Sequence, residues 1–90
     1  RRVEERLVHV IARLAHQFGV RRGDYVCLES LLGHEDLAEM IGSTRETVSA
    51  VLSGLGRDGV VTTARRRICM KEDRVREELE PGDPENSLRL

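Results

Sequence analysis

HEDLAEMIGSTRETVSAVLSGL, residues 34–55, decides the fold. It divides into two short amphipathic segments around Gly42. Leu37, Ala38, Met40 and Ile41 give the first segment an apolar face, and Gly42 stands where the chain must leave helical geometry. Ser43 is expected to open the second helix. Glu46, three residues later, would complete a capping box in which each side chain satisfies the other's backbone N–H. At 100° per residue, Val48, Val51, Leu52 and Leu55 fall within about 100° of one another. Glu46, Ser49, Ala50 and Ser53 fall on the opposite, solvent face, and Arg45 stands at the exposed N-terminal end. A helix held by one apolar stripe, offering Arg and Glu from its first turn, suits insertion into a DNA major groove. The same spacing also fits an αα-hairpin that only packs.

Working outward, Val3, Leu7, Val10, Ile11, Leu14 and Phe18 recur at helical spacing, and Gly19 is a natural stop, so residues 3–18 are read as an amphipathic helix. His9 and His16 lie two turns apart on it, too far to share a metal ion without other ligands. VRRGD, residues 20–24, is expected to form a polar turn, and Tyr25 to Glu29 alternate as a short strand. Downstream, Gly56-Arg57-Asp58-Gly59 reads as a turn. Val60 to Thr63 and Arg67 to Lys71 read as two antiparallel strands with Ala64-Arg65-Arg66 at the tip. Asp73 to Glu80 reads as a short helix with Val75 and Leu79 on one side. Pro81-Gly82-Asp83-Pro84 ends it, and residues 81–90 are expected to be a flexible acidic tail.

Ninety residues allow one small domain with a modest core. Charged residues make up 34% and hydrophobic residues 39%, a balance that fits a highly charged globule rather than a disordered chain. No apolar run approaches the length of a membrane span, and no signal peptide is visible. The chain begins Arg-Arg without Met, which is read as a fragment of a longer protein. Cys27 and Cys69 form neither a disulfide framework nor a spaced zinc set; both fall in strand-like stretches and are expected to be buried free thiols, in keeping with a reducing cytoplasm.

The net charge of −1 looks wrong for a nucleic-acid binder. Its distribution is uneven, however. Residues 43–71 carry six positive and two negative side chains, net +4, whereas residues 72–90 carry three positive and seven negative, net −4. Local field matters more than the total for phosphate binding. Basic residues at a hairpin tip beside a DNA-reading helix reach neighbouring phosphates, which points to Arg65, Arg66 and Arg67. Catalytic patterns are missing: there is no Gly-rich phosphate loop, no Cys/His metal cluster and no Ser/His/Asp set at useful spacing. An enzyme is not expected.

The run LAEMIGSTRETVSAVLSGL, followed by DGVV and RRRI, resembles the C-terminal winged-helix domain of the CRP/FNR transcription regulators, from about Arg2 to about Arg74. The resemblance implies a mainly α fold with a small antiparallel β-sheet: a winged helix-turn-helix, with a three-helix core, a recognition helix at 44–55 and a β-hairpin wing at 60–71. The domain would occupy residues 1–80, with Leu7, Ile11, Leu14, Leu37, Ile41, Val48, Leu52 and Leu55 in one core. By the same resemblance, base contacts come from Arg45 and Glu46 and from the position of Ala50, often Arg in the family; here Ala50 offers only an apolar contact. Ser49 and Ser53 would add hydrogen bonds that tolerate several bases. Phosphate contacts are assigned to His34, Ser43, Thr44 and Thr47 beside the three wing arginines. Gly33 stands where the family usually places Thr, and Gly54 and Gly56 where larger polar residues are usual.

The expected function is sequence-specific binding to double-stranded DNA, at a pseudo-palindromic site, by a cytoplasmic homodimeric regulator in bacteria. No cofactor is expected in these residues; an effector such as a cyclic nucleotide would bind an N-terminal sensory domain outside them. The alternative is a winged-helix module that binds protein and not DNA.

Overall fold

Among the described residues, four helices and a four-stranded antiparallel sheet share one apolar core. In chain order they are α1 (Val3–Phe18), β1 (Val20–Arg22), β2 (Tyr25–Leu28), α2 (His34–Ile41), α3 (Arg45–Arg57), β3 (Val61–Ala64), β4 (Arg67–Lys71) and α4 (Glu72–Leu79). The computed structural model describes residues 2–29, 33–64 and 66–80. Arg65, expected at the wing tip, and residues 81–90, expected to be a tail, lie outside the described residues. The architecture is the winged helix-turn-helix that the sequence implies.

Of the eight expected core residues, seven are buried: Leu7, Ile11, Leu37, Ile41, Val48, Leu52 and Leu55. Leu14 is only partly buried. The stripe on α1 runs through Leu7, Val8, Ile11, Ala12 and Ala15, and Phe18 is 69% exposed. The larger residues marked the wrong edge of the stripe, because the small Ala12 and Ala15 let neighbouring elements approach. Gly19 continues that close contact: a Cβ there would stand 2.5 Å from the Ala15 carbonyl oxygen and 2.5 Å from Val26 Cγ1. The C-terminal end of α1 therefore rests on β2.

The sheet order is β1-β2-β4-β3, with every pair antiparallel. Because side chains alternate along a strand, Val26, Leu28, Ile68 and Met70 share the face that joins the helical core. β1 occupies the stretch expected to be a polar turn. It is an exposed edge strand two-thirds arginine, and an edge strand needs no apolar alternation. α4 packs across α1 and buries Val75.

The cysteines correct the expectation of free thiols. Cys27 and Cys69 are directly opposite in the β2–β4 register, 4.0 Å apart at Cα, and are joined as a disulfide. Directly opposite residues on one sheet face sit closer than any other cross-strand pair, and no spacing rule reveals a register formed across 42 residues.

Candidate nucleic-acid interface

The geometry at the start of α3 differs from the expected Ser43–Glu46 capping box. Gly42 takes a left-handed φ of 70°, and the Gly42 and Ser43 N–H groups donate back to Glu39 and Ala38. This closes α2 in the manner of a Schellman motif, so Ser43 belongs to the turn. Thr44 is the cap: its hydroxyl accepts from the Thr47 N–H at 3.2 Å and lies 3.0 Å from the Thr47 hydroxyl. Glu46 therefore has no part in the cap, and its side chain is 80% exposed, 4.0 Å from the Arg45 guanidinium. Arg45, Glu46, Ala50 and Ser53 are exposed and Thr47 and Ser49 half-buried, while Val48, Leu52 and Leu55 are buried on the other side. The helix runs on to Arg57, two residues beyond the expected end, so Gly56 and Arg57 belong to its last turn. Gly59, at φ 78°, then turns the chain into the wing.

α2 begins at His34 behind Gly33. Gly33 has no side chain to cap with, and only the reciprocal bond forms, from its N–H to Asp36 Oδ2 at 2.8 Å. His34 is tied to α3 by its side chain. Its Nδ1 lies 2.7 Å from Ser49 Oγ, joining the start of α2 to the middle of α3 in a half-buried contact.

In the wing, Ala64 pairs with Arg67 and closes the β3–β4 hairpin. Arg66 is exposed and held at a left-handed φ of 59°. Among the described residues no carboxylate pairs with it. Arg67 is less free, because its Nε lies 3.6 Å from Glu29, which also binds the Arg22 guanidinium. The hydrogen bond from Arg22, with the charges of Arg22 and Arg67, holds the Glu29 carboxyl below the usual carboxylate range; the same bond raises Arg22 above its ordinary value. Glu29 was not singled out from sequence. It extends the β2–β4 register by one residue, opposite Arg67, and only that register brings the two together. Among the described residues no group of three or more His, Cys, Asp or Glu side chains is arranged to hold a metal ion, and no helix is long and apolar enough to cross a membrane.

The Crp-like helix-turn-helix domain matches residues 5–75. The chain belongs to this family. Family membership places it among the DNA-binding domains of CRP/FNR-type transcription regulators, as its relatives agree. The global nitrogen regulator of Synechococcus elongatus is 34% identical over 65 residues, 72% of this chain and 29% of that protein. The anaerobic regulatory protein of Bacillus subtilis is 32% identical over 76 residues, 82% of this chain and 32% of that protein. The chain thus spans about a third of the length of these relatives. Among solved structures, a CRP/FNR-family transcriptional regulator from Thermus thermophilus superposes with a TM-score of 0.73 at 26% identity, covering 89% of this chain and 41% of that one. The CO-dependent transcription factor CooA of Carboxydothermus hydrogenoformans superposes with a TM-score of 0.69 at 27% identity, covering 83% and 35%.

Proposed function

We propose that this Crp-like domain binds duplex DNA sequence-specifically, with α3 in the major groove and the wing on flanking phosphates. The observation that carries this is the first turn of α3. Because Thr44 makes the cap, Arg45 and Glu46 are both left exposed on a helix anchored by Val48, Leu52 and Leu55. In the groove Arg45 donates to guanine O6 and N7, and Glu46 accepts from a cytosine amino group. Ala50 meets a thymine methyl at most, and Ser53 adds a tolerant hydrogen bond. Ser43, Thr44 and Thr47 lie at the N-terminal turn where backbone N–H groups favour a phosphate; the Thr44 hydroxyl is engaged in the cap, so its contact there is through the backbone. Arg66 and Arg67, with Arg65, supply the wing's phosphate contacts, and His34 lies at the α2 end of the same surface.

In the longer protein the domain works as a cytoplasmic homodimer on a pseudo-palindromic site, its half-sites about one helical turn apart. Any effector binds outside these residues. Selection from a random DNA pool, followed by titration of single-base variants, tests the proposal. Arg45→Ala and Glu46→Ala each lose ~1–3 kcal/mol on the selected site and relax one position. If Glu46→Ala discriminated every variant as the parent does, Glu46 would not be a reader.

The alternative, a protein-binding module, draws on the exposed Phe18, Val20 and Met40, none of them on α3. Salt titration separates the two. Phosphate contacts give a steep dependence of affinity on salt, and an apolar protein contact gives little.

A further inference from the structure

The half-buried contact between His34 and Ser49 changes what Ser49 can say to a base. A free serine hydroxyl rotates, donating or accepting as its neighbour requires, which is why serine is expected to tolerate several bases. Here the rotor is tied. His34 Nδ1 is 2.7 Å from Ser49 Oγ, so one hydrogen bond of the hydroxyl is already committed within the protein. If Nδ1 accepts, the Ser49 proton is consumed and only its lone pairs remain for DNA. If Nδ1 carries the proton and donates, the Ser49 proton is left to point outward. The first arrangement leaves only acceptor lone pairs, and the second leaves one proton and one lone pair fixed in direction, so in neither does the hydroxyl rotate to suit each base. At 100° per residue Ser49 lies 40° from Arg45 on one side and 40° from Ser53 on the other. Its hydroxyl is thus flanked by the Arg45 edge and the exposed face of α3.

We infer that His34 is a positioning residue for base reading: through its hydrogen bond it stops the Ser49 hydroxyl from rotating to suit each base, so that the base pair opposite Ser49 is discriminated. An acceptor role selects the amino groups of cytosine or adenine, and a donor role selects guanine or thymine oxygens. Ser53, which is exposed and has no such partner among the described residues, stays tolerant. This rests on the proposal that α3 reads DNA.

The test measures affinity of the 90-residue chain for duplexes carrying the selected half-site and every single-base variant of it. The parent is expected to discriminate at one base pair beyond those read by Arg45 and Glu46, by about three- to tenfold, the range of a single hydrogen bond. Ser49→Ala and His34→Ala should each abolish that discrimination and leave the other positions unchanged. The double variant should lose no more than either single one. His34→Asn keeps a hydrogen-bonding atom near the position of Nδ1 and should restore a preference there. Thermal unfolding of each variant confirms that α2 still forms. Uniform weakening by His34→Ala across all sequences, with a flatter salt slope, would make His34 a phosphate ligand and overturn the inference. So would an unchanged preference in Ser49→Ala. A parent that binds every duplex alike would instead overturn the DNA-reading proposal itself, and this inference with it.

Discussion

At the scale of single residues, two side chains, Thr44 and Glu29, carry work that the sequence reading did not assign to them. Thr44, one position after the expected cap, holds the start of α3 through the Thr47 N–H. Thr44→Ala should therefore cost ~0.5–2 kcal/mol of stability in denaturant titration, and Ser43→Ala far less; the reverse order would return the cap to Ser43. Glu29 is the second. Its carboxyl is held below the usual range chiefly by the hydrogen bond from Arg22. A carboxylate depressed in the folded state stabilises above its unfolded pKa, about 4.3 for Glu, and that stabilisation is lost as pH falls through the lower folded value. Glu29→Gln should accordingly be less stable than the parent at neutral pH, with the gap closing below about pH 4. It should also bind all duplexes more tightly at neutral pH, because Arg67 no longer faces a negative charge. Equal stability of the two proteins across the whole range would show that the Arg22–Glu29–Arg67 cluster is only a surface arrangement.

At the scale of elements, the helix pair was legible because its signals are local. Gly42, the Arg-Glu turn and the 48/52/55 spacing all sit within the one stretch 34–55, and the structure moves only the cap and the last turn. α1 was legible as a helix but not in its rotation, since Ala12 and Ala15 carry little hydrophobic weight in a pattern yet fill the seam. β1 was not legible, because an edge strand of Val-Arg-Arg has no periodicity to show. The wing combines both cases: its strands were visible, but the approach of Arg67 to Glu29 depends on a long-range register. At the wing tip, Arg66→Ala should weaken binding to all DNA sequences alike and flatten the salt slope by ~0.9, the share of a single phosphate, and Arg67→Ala should do less. Arg66→Gly should weaken binding equally but match or exceed the parent in Tm, since glycine accepts the left-handed φ that costs arginine ~1 kcal/mol or more. Weakening confined to one sequence would make the tip a base reader.

For the whole molecule, the sheet joins α3 and the wing to α1 and α4, and the disulfide is its covalent tie. Closing a loop across 42 residues stabilises by about 4 kcal/mol on the chain-entropy model, and natural disulfides of this kind are commonly worth about 2–4 kcal/mol. Reduction, or Cys27→Ala with Cys69→Ala, should lower Tm by roughly 8 °C or more for a domain of this size. An unchanged Tm in reducing buffer would mean that the strand pairing alone holds β2 to β4. The fold class was legible at this scale, but the cross-link was not, because it depends on which residue of β2 faces which of β4.

The same cross-link divides the chain into a ring and two arms. α2, α3 and β3 lie inside the ring closed by Cys27 and Cys69, whereas α1 and β1 precede it and α4 follows it. Tension applied between the two ends of the chain passes from residue 27 to residue 69 through sulfur and skips everything between. α3 is therefore off the line of force. Reduction would put it back on that line and release about 140 Å of contour, the extended length of 42 residues. With the bond intact, the arms can be drawn out straight while the ring stays short.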